Sequence, residues 1–274
     1  MIWLHILAPM AIAYRLAVHD HNRGRSIVIQ ALVLVAVVAL FTGAMTVFFI
    51  GLAMVLLGFI LAWAMRRGDS LTMAGIKGSG YLAGLWLVLW ALTGPGEISP
   101  TQALLASIDH SLSAAWGQEE NAATLEYMRR FIARAWPAFL AISLISLVWL
   151  NIAASHWLLR KKSPGLSPWP ELKQWRLPDY LVAVVALALG FLLLGFEPLA
   201  TVGLNGMLIL GMLYFMQGLA IMSHLLAYWQ LPTWLRVICY ALVLIQGYGL
   251  ILLALLGLAD LRLGFRERFG AKTE

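Results

Sequence analysis

Apolar runs of bilayer-crossing length dominate the chain, separated by short polar stretches. They cover residues 2–18, 27–65, 76–92, 136–159, 180–194, 200–228 and 237–258. A helix needs about 20 apolar residues to cross a hydrocarbon core about 30 Å thick. The run at 27–65 is too long for one crossing, and Thr42-Gly43-Ala44 offers a place to turn. It therefore splits into two antiparallel helices. The pattern predicts an all-α fold, a polytopic transmembrane helical bundle of about eight spans, forming a single integral membrane domain over residues 1–274. The first segment is at the short end for a span and is interrupted by His5, Pro9 and Arg15. Asn151 and His156 lie toward the end of the fifth.

Residues 97–133 break the pattern as the only long polar stretch. Ser99-Pro100 reads as a helix start, with a capping hydroxyl before a proline at the first helical position. Leu104, Leu105, Ile108 and Leu112 follow at helical spacing. The stretch is expected to be an extramembrane insertion holding an amphipathic helix on the bilayer surface. Asp109, Glu119, Glu120 and Glu126 make it acidic. Gly80 and Gly84 form a G-x-x-x-G pair, which predicts close approach of a neighbouring helix there.

Charge then orients the spans. Loops 19–26, 66–77 and 160–178 are rich in Lys and Arg, whereas 42–46, 94–134 and 195–199 are poor or acidic. This places the first three in the cytoplasm. Eight spans would put the basic tail, with Asp260, Arg262, Arg266, Arg268 and Lys272, on the opposite side, against the same rule. Either 200–228 is broken near Asn205-Gly206, or one run does not cross. No membrane role is expected for the tail.

Composition supports the class. The chain is 62% hydrophobic and 12% charged, against about 25% charged in soluble domains. Its formal net charge of +6 sits in short connectors, where it reads as topology signal and attraction to lipid headgroups. No basic face for nucleic acid is formed. Cys239, the single cysteine, lies in an apolar run, which excludes a disulfide framework and a thiolate metal cluster. Residues 1–18 show neither a basic leader nor a small-residue cleavage site, so no cleavable signal peptide is expected. Many of the 12 tryptophans fall near span ends, as an interfacial belt requires.

Candidate chemistry concentrates in 200–228, where Asn205, Gln217 and His224 interrupt an apolar run. At membrane depth such groups need a partner in protein, ligand or a wet cavity. Tyr214, Gln217, Ile221, His224 and Tyr228 fall at steps of three and four and share one helix face. Gln246 and Tyr248 form a second polar spot. The candidate ligand-binding residues are Asn205, Tyr214, Gln217, His224 and Gln246. The same groups also have a packing role open to them: Gln217 bonding a neighbouring helix, His224 reaching the interface, Asn205 marking a kink. Glu197 is either a cation or amine ligand, or a solvated charge at the membrane edge. His19-Asp20-His21 lacks metal-ligand spacing and a further ligand, so no metal is expected. H-E-x-x-H, G-x-S-x-G, Walker A and G-x-G-x-x-G patterns are absent. Neither a catalytic centre nor a cofactor is expected.

Three pieces of the chain resemble the YybS-like family of bacterial membrane proteins, the domain-of-unknown-function family 2232. They are Leu177-Pro178-Asp179-Tyr180, the Asn205…Tyr214…Gln217-Gly218-Leu219-Ala220 run, and Leu256-Gly257-Leu258-Ala259-Asp260…Phe265-Arg266. The early layout, with Pro9, Gly24 and a hairpin ending in Arg66-Arg67, is similar as well. The resemblance implies a fold related to the substrate-binding S components of energy-coupling-factor vitamin transporters. Those components bind a small molecule among their helices and dock on a shared membrane subunit through an A-x-x-x-A pattern, a spacing that Ala13 and Ala17 have. Members of the family usually carry a further apolar helix ahead of the segment that begins this chain.

The expected function is binding, or helping transport, a small solute within the bundle. The expected partners are the lipid bilayer, a small-molecule ligand and a membrane partner subunit, in a bacterial cytoplasmic membrane. The alternative is a non-transporting membrane scaffold that uses the 97–133 segment to meet a partner.

Overall fold

The apolar runs form helices. The structure, a computed structural model, describes residues 2–19, 21–42, 45–93, 106, 122–163, 169, 172 and 175–268. In chain order the helices are α1 (Ile2–Val18), α2 (His21–Thr42), α3 (Met45–Arg66), α4 (Leu71–Thr93), α5 (Ala122–Lys162), α6 (Leu181–Leu193), α7 (Glu197–Tyr228), α8 (Thr233–Ile245), α9 (Gly247–Leu263) and the short α10 (Phe265–Arg268). The long run at 27–65 divides between Thr42 and Met45, where the sequence offers a turn. Most of 97–133 lies outside the described residues, including Ser99-Pro100 and the apolar positions of the expected surface helix. Its end, residues 122–133, forms the first turns of α5.

Among the described residues, four helices are long and apolar enough to cross a membrane: Phe48–Arg66, Leu71–Leu92, Glu126–Lys162 and Glu197–Tyr228. The pair α8 and α9 makes a fifth if its two arms are one span, and Ile6–Val18, Ser26–Phe41 and Leu181–Leu193 are shorter apolar helices. Outward-facing side chains fit lipid: Phe41 is 87% exposed and Leu40 is 80% exposed. No water-facing surface of a soluble domain holds such rows of large apolar groups.

One of the two alternatives for the 200–228 run, a break near Asn205-Gly206, is ruled out, and the unbroken helix expected over 237–258 is corrected. Helix α7 runs unbroken from Glu197 to Tyr228 past Asn205-Gly206. The break falls in the last apolar run instead, where α8 and α9 meet at Gln246 with a bend of 104°. Gly249 makes the bend feasible: a Cβ there would lie 2.0 Å from the Val243 carbonyl oxygen of the other arm. The expected contact at Gly80 and Gly84 is also corrected, since no described neighbour comes within 4 Å of a Cβ at either position.

The chain folds as two units. The first comprises Met1–Leu92 and Ser143–Leu172, and the second Thr93–Ile142 and Lys173–Glu274. Helix α5 contributes its last part to the first unit and its early part to the second. In the first unit α1, α2 and α3 pack on one another around Ile12, Leu16, Val55 and Ala62. In the second, α7 is central and packs against α6, α9 and α10.

Each unit contains the same repair of a proline-interrupted helix. An α-helix pairs each N–H with the carbonyl four residues earlier, and an interior proline disturbs that ladder. At Pro9 of α1 the disturbed pair is Met10 N–H and Ile6 C=O. Asn151 bridges them: its Oδ1 accepts from Met10 N–H at 2.9 Å, and its Nδ2 donates to Ile6 O at 2.9 Å. At Pro137 of α5 the pair is Ala138 N–H and Arg134 C=O. Asn205 bridges these at 2.8 Å each. Both asparagines also donate to the carbonyl four residues back on their own helix, Leu147 and Thr201.

Candidate functional site

The site begins with two glycines. A Cβ at Gly218 would lie 2.0 Å from Leu253 O, and one at Gly257 would lie 2.1 Å from Tyr214 O. Only glycine lets α7 and α9 meet backbone to backbone in this way. That contact brings Gln217, fully buried, within reach of α9. Its Nε2 donates to Gly257 O at 2.9 Å, and its Oε1 accepts from Leu177 N–H at 2.9 Å. Leu177 sits in the extended stretch before Pro178, where no helix partner is available for its buried N–H. One amide thus ties α7, α9 and the lead-in to α6.

An ion pair lies at the C-terminal end of the same α9. Asp260 Oδ1 accepts from Phe265 N–H at 2.9 Å, and Oδ2 accepts from Arg266 Nε at 3.2 Å and Nη2 at 2.9 Å. Gly264, with φ of 56°, turns the chain so that Arg266 folds back over the helix end. Arg266 Nη1 then donates to Trp175 O at 2.7 Å, and Arg176 Nη2 donates to Leu261 O at 3.3 Å. The side chains of Arg266 and Asp260 are only 13% and 3% exposed. Charges this dry are stable only when paired and hydrogen-bonded, as these are. The tail, for which no membrane role is expected, supplies Arg266 to this ion pair at the end of α9. Its charges read as topology signal in the sequence; an acid in the last turn of an apolar helix, followed by an arginine past a glycine, was the usable clue.

The remaining polar atoms on the α7 face are different. Tyr214 is buried and its hydroxyl has no hydrogen-bond partner among the described residues; the buried Nε2 of His224 has none either. Gln217 lies between them along the helix. Asn205 is half-buried in the repair at Pro137 and shares none of the partners of Gln217. Gln246 is exposed at the α8–α9 bend, where its backbone accepts from Gly249 N–H at 2.7 Å, and Tyr248 is 80% exposed. Glu197 is exposed and pairs with Arg134 at 2.5 Å. The five candidates therefore divide: Tyr214, Gln217 and His224 line one face, while Asn205 and Gln246 stand apart from it.

A family model for predicted membrane proteins, DUF2232, matches residues 1–261. The chain belongs to the DUF2232 family. No curated protein and no solved structure matches it. The three pieces that carry the DUF2232 resemblance, around Leu177, Gln217 and Asp260, are far apart in sequence and meet in this one cluster of hydrogen bonds.

Proposed function

We propose that this DUF2232 protein binds a small polar solute within its second helical unit, or helps it cross, and performs no chemistry on it. The groups that meet the solute are the Tyr214 hydroxyl and the His224 imidazole. One observation carries the reading: both polar atoms are shielded from solvent and unpartnered among the described residues. A buried unpaired group costs about 1–3 kcal/mol, so its retention calls for a partner such as a ligand or an ordered water. Gln217 and Asn205 act one step removed, holding the helices that present the face. Ten helical residues separate Tyr214 from His224, about 15 Å of axis. Such spacing suits two successive stations for a moving solute better than one closed pocket.

A test is thermal unfolding of the purified protein in lipid nanodiscs against a panel of metabolites and vitamins, alongside Tyr214→Phe and His224→Leu. Binding to the folded state stabilises by about 2.7 kcal/mol at a hundred times Kd. The expected result is a compound that raises Tm of the wild type and has a reduced effect on both variants. A compound stabilising all three proteins equally would refute the role of these two groups.

The second reading is a non-transporting scaffold that meets a membrane partner through the 97–133 segment. It is favoured by the complete engagement of Gln217 and Asn205 in helix packing. Deletion of residues 101–118 separates the two readings: it abolishes partner cross-linking under the scaffold reading and leaves solute stabilisation intact under the first.

A further inference from the structure

The first unit carries a groove of about 290 Å³ between α1, α2 and α3. Its wall is apolar, built from Leu16, Val28, Ile29, Phe59 and Trp63, and Arg66 stands in its lining. Arg66 does not hang free. Its Nη2 donates to the carbonyls of Leu16 and His19 at the end of α1, the latter at 2.8 Å. This fixes the guanidinium at the groove and leaves Nε and Nη1 without a partner among the described residues. Trp63 gathers further cations: the Arg67 guanidinium lies 4.1 Å from its ring centroid and the Lys77 ammonium 4.6 Å. Asp69 is already bound to Lys77 at 2.5 Å. An apolar groove with an anchored cation is thus flanked by one more cation, Arg67, and one neutralised pair.

The geometry points to a binding site for one anionic glycerophospholipid of the surrounding bilayer, with an acyl chain along the Ile29–Phe59 wall and its phosphate on Arg66. Three observations select this occupant. The wall is apolar and opens where Ile29, 61% exposed, and Phe59, 49% exposed, face outward. The cation sits at one end, as a headgroup and tail require. The loops holding Arg66 and Arg67 are those that positive-charge bias places in the cytoplasm, and basic pockets between helices at that face suit anionic headgroups. The Nε and Nη1 groups of Arg66 supply charge-assisted donors to phosphate oxygens, and arginine stays charged at every relevant pH. The site is independent of the Tyr214–His224 face, and neither proposal needs the other.

Native mass spectrometry of the full chain, released from nanodiscs of equal phosphatidylglycerol and phosphatidylcholine, tests the site. The wild type should retain one phosphatidylglycerol in preference to phosphatidylcholine. Arg66→Gln should lower that preference about fivefold, the loss expected for one basic residue near an anionic headgroup. Ile29→Trp leaves every cation in place and fills the groove, so it should reduce retention of the bound lipid altogether. Arg262→Gln, an exposed cation of α9, should change nothing. Equal retention of the two lipids by the wild type overturns the proposal. So does an unchanged phosphatidylglycerol adduct in Ile29→Trp, which decides the matter alone if Arg66→Gln fails to fold.

Discussion

Asn151 and Asn205 make the same three hydrogen bonds in different surroundings. Each accepts from the N–H after a proline, donates to the carbonyl three residues before it, and donates to its own helix one turn back. Asn151 is fully buried, with Val148 and Ile152 beside it equally so. Asn205 is half-buried, and the Arg134 whose carbonyl it holds extends its side chain to the exposed Glu197. The geometry is shared, and what differs is access to water. A backbone group released in the first unit has nothing to replace its partner, whereas one released in the second lies close to the polar edge. Identical contacts therefore predict unequal energies.

The largest effect is expected from Asn151→Leu. It strands Met10 N–H and Ile6 C=O against the fully buried position of residue 151 and should lower the unfolding free energy by about 3 kcal/mol, within the range for unpaired buried groups. Asn205→Leu removes the same bonds and should cost about half as much, since water can reach the released groups. Unfolding of both variants in SDS–detergent titrations gives the comparison directly. Equal losses would mean that hydrogen-bond count, and not solvent access, sets the energy.

A smaller effect isolates the role of proline. Pro137→Ala restores an N–H to α5 and lets the ladder close, so Ala138 N–H can return to Arg134 C=O. In that background Asn205→Leu should cost about 1 kcal/mol less than it does alone, a coupling measurable by a double-mutant cycle. Additive losses would show that Asn205 serves its own helix through Thr201 and not the interruption in α5.

These contrasts also mark what the chain discloses on inspection. Helix positions were legible because apolar runs and the Thr42–Met45 turn are local signals. Asn205, Gln217 and His224 stood out because polar side chains are rare in such runs. Their separate fates were not legible, since they depend on which backbone groups arrive from elsewhere. Nothing near Asn205 announces that its partner is the gap left by Pro137. Nothing near Gln217 announces that Gly257 permits α9 to come close enough to accept from it. The Gln246 bend was hidden for a related reason: the run from 237 to 258 is apolar on both sides of the break, and hydropathy carries no information about direction. The pairing of Asp260 with Arg266 was not legible because charges close to a terminus look alike whether they are exposed or paired.

The smallest effect bears on function, and its sign matters more than its size. Gln217 and Tyr214 lie on the same buried face of α7, yet every polar atom of the Gln217 side chain has a partner and the Tyr214 hydroxyl has none among the described residues. Removing an unpartnered hydroxyl deletes a desolvated group and no bond. Tyr214→Phe should therefore leave the stability of the ligand-free protein unchanged or raise it by up to about 1 kcal/mol. A loss of 1 kcal/mol or more would mean that the hydroxyl is bonded internally in the ligand-free protein. Its availability to a solute would then be gone, and with it the distinction between the groups that hold α7 in place and the groups that α7 presents.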